Sequence, residues 1–199
     1  MKILILSTSP RTGSYTLRAS TYLKSVLATE LPGADITLLD FAGFDISPLG
    51  KGGFPSDPTT AFQSELLESW QSASLIIFCS PEYNWTASAE TFILLERMGS
   101  RTYRDFFDNK VFAVAGVSSG RGGRQPALDI SRVLSKIIGF LGTESVVSSK
   151  ILEIHEVGQN LNEQAQSTGS TVFEDGMRNF VRYNLRLTRR WFHLPSSES

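Results

Sequence analysis

The sequence predicts an α/β fold in which five parallel strands, in the order 2-1-3-4-5, form one sheet covered by helices on both faces. Two observations predict it. Five short apolar runs alternate along the chain with segments whose apolar residues recur at helical spacing. The runs are apolar without alternation, which is typical of parallel strands buried on both faces. With 199 residues, the chain is long enough to bury a large core as one domain.

The predicted strands follow from these apolar runs. Residues 3–6 read Ile-Leu-Ile-Leu, and residues 75–79 read Leu-Ile-Ile-Phe-Cys. Neither run has the polar alternation of a strand with one face in water. In chain order, the predicted strands are residues 2–6, 36–39, 75–79, 111–115 and a fifth that contains residues 146–147.

Amphipathic helices are predicted between the strands. Tyr15, Ala19 and Tyr22 begin a repeat of three- and four-residue spacing that ends before Pro32. Four further helices are predicted over residues 62–70, 87–98, 128–141 and 172–192. Glycines and prolines in residues 40–58 indicate a long irregular loop, and residues 159–171 are polar and weakly patterned. We expect one domain over residues 1–194 and a frayed tail over residues 195–199.

The strand order follows from three loops with ligand-binding character. They come after the first, third and fourth predicted strands and cover residues 9–16 (first loop), 80–86 (second loop) and 118–123 (third loop). In the order 2-1-3-4-5 these three strands are neighbours, and their carboxyl ends flank the point where such sheets bind ligands. With right-handed crossovers, this arrangement is a flavodoxin-like three-layer sandwich.

The bulk composition excludes several classes of protein. The net charge of −1 gives no general attraction to nucleic acid or to an anionic membrane. The apolar start of the chain is too short to span a membrane, and the single Cys79 excludes an internal disulfide framework. We therefore expect a cytoplasmic protein. His155 and His193 have no metal-ligand spacing around them, so no metal site is predicted.

The first loop has the composition of a phosphate site. Gly13 permits a backbone turn with positive φ, and Arg11 can add a charge-assisted contact. The helix that follows presents unpaired N–H groups and a partial positive charge at its start. Hydroxyl donors are provided by Ser9, Thr12, Ser14 and Thr16. The loop has neither the G-x-x-x-x-G-K-[ST] nor the G-x-G-x-x-G pattern, and simple helix capping is the alternative interpretation.

The second and third loops complete a predicted site. Pro81 stiffens the second loop, while Tyr83 and Trp85 suit either an aromatic ligand or a protein interface. Glycines in the third loop allow the main chain to approach a planar group closely. Arg121 and Arg124 can meet an incoming anion there.

The three loops together resemble the NAD(P)H-dependent FMN reductase family. The motifs are S-x-R-x-G-S over residues 9–14, P-E-Y-N-x-[ST] over residues 81–86, and the glycine-rich third loop. The resemblance covers roughly residues 2–147 and implies a flavodoxin-like fold with FMN as cofactor. It also implies NADPH or NADH as co-substrate and a homodimer or homotetramer. Family members reduce flavins, quinones, azo dyes or chromate.

The resemblance also implies which residues bind the cofactor. The phosphate would be held by Ser9, Arg11, Ser14 and Thr16, with Thr16 standing where the family commonly has Asn, and Tyr15 is a further cofactor-binding candidate. The ribityl chain and isoalloxazine would be bordered by Pro81, Glu82, Tyr83, Asn84 and Thr86, and Trp85 is a further cofactor-binding candidate. The other side of the ring system would face Ser118, Gly120, Gly122 and Gly123. Candidate partners for the 2′-phosphate of NADPH are Arg101, Arg121 and Arg124.

The implied reaction is hydride transfer from the nicotinamide to N5 of bound FMN, followed by reduction of a quinone, flavin or similar small acceptor. No catalytic side chain is predicted, because the flavin carries the chemistry. The chain departs from the family after Thr86, where I-P-G-x-L-K-N is usual and residues 87–93 read A-S-A-E-T-F-I. Two alternatives therefore stay open: a flavodoxin-type electron carrier, and an FMN-binding sensor or interaction protein without catalysis.

Overall fold

The computed structural model describes residues 1–46 and 60–194 and contains a parallel sheet between two layers of helices. The strands are β1 (Lys2–Ser7), β2 (Asp35–Asp40), β3 (Leu75–Pro81), β4 (Val111–Val117), β5 (Val146–Val147) and β6 (Leu152–Ile154). The helices are α1 (Tyr15–Glu30), α2 (Ala61–Ser72), α3 (Ala89–Met98), α4 (Arg124–Leu141), α5 (Val157–Asn160) and α6 (Thr171–Trp191). Two short 3-10 turns cover Phe41–Gly43 and Arg101–Phe107. The predicted tail, and most of the loop predicted over residues 40–58, lie outside the described residues.

The strand order confirms the prediction. The sheet runs β2-β1-β3-β4-β5, and every adjacent pair is parallel. The sixth strand, β6, was not predicted, and it pairs with β4 beyond β5. Val111 pairs with Val146 and Ala115 pairs with Leu152. The segment that joins β5 to β6 is therefore two residues longer than the stretch of β4 that it runs beside. β5 and β6 are therefore one interrupted fifth strand.

Each face of the sheet has its own hydrophobic core. In β1, Leu4 and Leu6 face the core shared with α2, α3 and α4, where Trp70 is fully buried. Ile3 and Ile5 face the opposite core, which α1 and α6 cover. β3 and β4 are buried along their whole length, as their continuous apolar sequences predict. The central strands thus bring their carboxyl ends to one rigid edge.

The helix boundaries differ from the predictions at two places that bear on the site. α3 begins at Ala89 rather than Ala87, because Ser88 is its N-cap and accepts the Thr91 N–H. α4 begins at Arg124, four residues before the predicted start. Its first turn is more polar than the apolar repeat that marks the rest of the helix. The weakly patterned region around residues 159–171 contains part of the short helix α5.

Within the two described ranges, none of the helices combines the length and the apolar character that crossing a membrane takes.

Candidate functional site

A cavity of about 410 Å³ lies where the first and second loops meet at the carboxyl edge of the sheet. Its size is within the range of small-molecule sites. Eight of the residues predicted to bind the cofactor line it, namely Ser9, Arg11, Ser14, Tyr15, Thr16, Pro81, Glu82 and Tyr83. The remaining lining residues are Thr12, Gly13, Arg18, Val117 and Ser119.

The first loop is shaped by its own sequence. Gly13 has a φ of 63°, a left-handed conformation that favours glycine. Ser14 then adopts an extended conformation as the N-cap of α1, and its Oγ accepts the Leu17 N–H at 3.0 Å. Its carbonyl accepts the Arg18 N–H at 3.1 Å. The loop is therefore a capped helix start, as the alternative interpretation expected.

The capping leaves a row of backbone donors unused. Within the described part of the chain, no group accepts the N–H hydrogens of residues 12–16. These five amides lie at the positive end of the 16-residue helix α1. The charged side chains that line the cavity are the guanidinium groups of Arg11 and Arg18 and the carboxylate of Glu82, so the lining has a net positive charge. Consecutive free amides, a helix start and excess positive charge fit a phosphate group.

Tyr83 joins the first loop to the second. Its hydroxyl lies 2.9 Å from Oγ of Ser9, and the Arg11 guanidinium lies 4.5 Å from the centre of its ring. Ser9 is fully buried, and its Oγ also accepts the Arg11 N–H at 3.3 Å. The two predicted halves of the site therefore contact each other directly through polar side chains.

The tip of the second loop turns away from the cavity. Tyr83 and Thr86 exchange both backbone hydrogen bonds, at 2.9 and 3.1 Å. Asn84 and Trp85 between them have φ values of 51° and 66°, as in a type I′ turn. Trp85 is 81% exposed, and the Thr86 hydroxyl donates to Asp129 of α4 at 3.0 Å. Asn84, Trp85 and Thr86 do not line the cavity.

Three amides of the third loop, those of Gly120, Gly122 and Gly123, are bound by acceptors of the protein itself. Gly122 donates its N–H to Nδ1 of His155 at 3.1 Å, and Gly123 donates its N–H to the carboxylate of Glu82. Gly120 donates to the Ser118 hydroxyl at 3.2 Å. None of these four predicted residues (Ser118, Gly120, Gly122 and Gly123) lines the cavity, whereas Ser119 does. Glu82 therefore connects the second and third loops.

Sequence reasoning missed three lining residues: Arg18, Val117 and Ser119. Arg18 stands four residues after Ser14 on α1, so helical spacing alone places it above the first loop. Its guanidinium lies 5.0 Å from the centre of the Tyr15 ring and donates to Leu161 O at 3.3 Å. Val117 is the last residue of β4, and a strand end next to a ligand loop was the available signal.

The three candidate arginines for a 2′-phosphate have different surroundings. Arg101 lies in the 3-10 turn that leads into β4, at the amino edge of the sheet and away from the cavity. Arg124 pairs with Glu153 at 3.0 Å. Arg121, on the third loop, has a side chain that is 90% exposed and lies 3.9 Å from Glu156. Only Arg121 and Arg124 are on the cavity side.

In the part of the chain that the structure describes, the other reactive groups do not form a site. Cys79 is fully buried in β3, and burial raises the pKa of its thiol to about 12. It is therefore a core residue. No cluster of three or more metal-ligating side chains occurs among residues 1–46 and 60–194.

Several solved structures superpose on this chain. FerB from Paracoccus denitrificans, a flavoenzyme NAD(P)H:(acceptor) oxidoreductase, has a TM-score of 0.66 and 15% identity over 94% of this chain and 96% of its own. The apo form of NADH:FMN oxidoreductase EMOB has a TM-score of 0.64 and 16% identity over 99% of this chain and 91% of its own. A flavodoxin from the domain Archaea has a TM-score of 0.52 and 13% identity over 97% of this chain and 100% of its own. At these identities the likeness shows the fold alone, and it confirms the flavodoxin-like sandwich.

The sequence comparisons give the family. No curated protein matches the chain significantly. A sequence model described as NADPH-dependent FMN reductase matches residues 1–151, which include all three loops and end one residue before β6. This match confirms the expected cofactor, FMN, with a reduced nicotinamide as electron donor. Because the match covers most of its length, the chain belongs to the NADPH-dependent FMN reductase family.

Proposed function

We propose that this protein is an FMN-dependent NAD(P)H oxidoreductase that passes electrons to a quinone, a flavin or a similar small acceptor. The observation that carries the proposal is the row of five free amides, residues 12–16, at the wall of a cavity that also contains Arg11. FerB and EMOB, two oxidoreductases that use nicotinamides and share this fold, support the same class of reaction.

In this proposal the first loop binds the phosphate of FMN. The amides of residues 12–16 donate to its oxygens, and Arg11 and Arg18 balance its charge. Ser9 and Tyr83 hold the loop closed through their hydroxyl contact. Pro81 and Glu82, which line the cavity beside the first loop, border the remainder of the cofactor.

Bound FMN supplies the redox chemistry, accepting two electrons from the nicotinamide and passing them on. The chain then needs to bind, orient and shield rather than to provide a nucleophile. Glu82 contributes to this by fixing the third loop, since its carboxylate accepts the Gly123 N–H.

The test is reduction of the FMN-loaded protein under anaerobic conditions. We expect NADPH or NADH to bleach the yellow flavin absorbance, and subsequent addition of a quinone to restore it. A protein that binds FMN but is bleached by neither nicotinamide would contradict the proposal and favour the flavodoxin-type carrier. Dithionite, which reduces free and bound flavin, serves as the control for an intact cofactor.

We also propose a homodimer or homotetramer, one domain over residues 1–194, and a reducing compartment such as the cytoplasm. Leu128 and Phe140 on α4 are 43% and 54% exposed, and they are the candidate contact residues for such an interface. The packing of both helical layers on one sheet supports the single domain. The single free thiol, Cys79, supports the reducing compartment.

A further inference from the structure

A buried hydroxyl network lies directly beneath the first loop. It consists of Thr8, which follows β1, and of Ser88 and Thr91 at the start of α3. All three side chains are fully buried, and none of them lines the cavity. The network therefore contacts the proposed FMN site from behind, without access to a ligand.

The network uses every polar group of Thr8. Its N–H and its hydroxyl both donate to Cys79 O, at 2.9 and 3.2 Å. Its Oγ accepts the Thr91 hydroxyl at 2.7 Å, and its carbonyl oxygen accepts the Ser88 hydroxyl at 2.6 Å. Ser88 and Thr91 also lie 2.9 Å apart, oxygen to oxygen. Thr8 is thus held from β3 on one side and from α3 on the other.

Fixing the carbonyl of Thr8 also fixes the N–H of Ser9, because the two groups belong to one planar trans peptide and point in opposite directions. Ser9 is the first residue of the loop that lines the cavity, and within the described residues its N–H has no acceptor. The direction in which the first loop leaves β1 is therefore set by a hydrogen bond from α3.

This network belongs to the part of the chain that departs from the usual family sequence. Aligned on residues 81–86, Ser88 stands where the family usually has Pro and Thr91 where it usually has Leu. Neither Pro nor Leu has a hydroxyl to donate. The substitutions that remove the usual α3 sequence thus introduce the two groups that bind Thr8.

We infer that Ser88 and Thr91 are positioning residues for FMN, acting through Thr8 on the first loop. The inference depends on the proposed function, since it assumes that the first loop binds the phosphate. A positioning role of this kind predicts that removing either hydroxyl weakens binding of the phosphate group and leaves binding of the ring system unchanged. Riboflavin, which has the same ring system and no phosphate, provides the ligand for comparison.

The experiment is fluorescence titration of the apoprotein with FMN and with riboflavin, using Thr91→Val and Thr91→Ser. We expect Thr91→Val to weaken FMN binding about tenfold, the usual worth of one or two buried hydrogen bonds, and to leave riboflavin binding unchanged. Thr91→Ser keeps the hydroxyl and should bind FMN within about twofold of the wild type. Thr188→Val is the matched control, because Thr188 is equally buried but donates within α6 to Asn184 O.

Three outcomes would overturn the inference: unchanged FMN binding in Thr91→Val, an equal loss for FMN and riboflavin, or an equal loss in Thr188→Val. If Thr91→Val does not fold, Ser88→Ala decides by the same comparison, because it removes the donor to Thr8 O. A wild-type protein that binds neither ligand would instead refute the proposed function. The two failures are therefore distinguishable.

Discussion

Tyr83 has two separable contacts with the first loop. Its hydroxyl lies 2.9 Å from Oγ of the buried Ser9, and its ring lies under the Arg11 guanidinium at 4.5 Å. The first contact needs the oxygen, whereas the second needs only the aromatic face. The two contributions to closing the site can therefore be measured one at a time.

We predict that Tyr83→Phe weakens FMN binding about fivefold, because it removes one neutral hydrogen bond and keeps the ring. Tyr83→Ala removes the cation–π contact as well and should weaken binding further, by a total of about thirtyfold. Equilibrium titration of the two apoproteins with FMN provides the measurement. Equal affinities for the two variants would show that the ring contributes nothing.

The thiol of Cys79 should be unreactive in the folded protein. It is fully buried in β3, and burial raises its pKa to about 12. We predict no labelling by a chromogenic disulfide reagent at pH 8 and one equivalent after unfolding in guanidinium. Rapid labelling of the native protein would contradict the placement of β3 at the centre of the sheet.

Among the elements, α2 and β4 are connected through a buried ammonium group. Lys110, just before β4, donates from Nζ to Gln71 O and Ala73 O at 2.7 and 2.8 Å, at the carboxyl end of α2. A cation is favoured at this end of a helix. Burial lowers the pKa of Lys110, and the nearby Asp108 carboxylate partly offsets that effect.

We predict that Lys110→Met lowers the free energy of unfolding by about 2 kcal/mol at pH 7, because two carbonyls lose a charged donor. The pKa of Lys110 in the folded protein is lower than in the unfolded chain, where a lysine has its ordinary pKa of 10.5. The contribution of Lys110 to the free energy of unfolding therefore rises with pH between the folded-state pKa and the unfolded-state pKa, because the unfolded chain binds more protons in that range. Urea unfolding at pH 7 and pH 10 should show a larger difference between wild type and variant at pH 10. A variant as stable as the wild type would refute the bridging role.

The elements that the sequence predicted best are those with a continuous apolar run or a long apolar repeat at helical spacing. β3, β4 and α6 were expected within one or two residues of their observed bounds, because burial dictates their composition. β6 could not be predicted in this way. Its three residues read Leu-Glu-Ile, and pairing with the end of β4 decides their conformation. The start of α4 was also missed, since its first turn, which reads Arg-Gln-Pro-Ala, is more polar than the apolar repeat of the rest of the helix.

At the scale of the whole molecule, the sequence predicted that the first and second loops converge. It did not predict that the glycines of the third loop lie outside the cavity, or which backbone N–H groups have no acceptor. The first and second loops meet because their strands are neighbours in the order 2-1-3-4-5. That the amides of Gly122 and Gly123 are bound by His155 and Glu82 follows from tertiary contacts of distant residues. Such contacts have no signature in the local sequence pattern.

Self-association is a further property of the whole molecule. If α4 forms the proposed interface, Leu128→Glu places a charge on it and should shift the protein toward monomers. Sedimentation velocity of the wild type and the variant is the measurement, and Val172→Glu, also on an exposed residue but on α6, is the control. A wild type that sediments as a monomer would rule out the proposed dimer or tetramer.

The central claim is that the free amides of residues 12–16 bind the phosphate of FMN. Titration calorimetry of the wild-type apoprotein with FMN and with riboflavin tests it most directly. We predict that FMN binds at least about tenfold more tightly than riboflavin, because charge-assisted hydrogen bonds to the phosphate are strong. Equal affinities for the two ligands, or no binding of FMN, would contradict the claim.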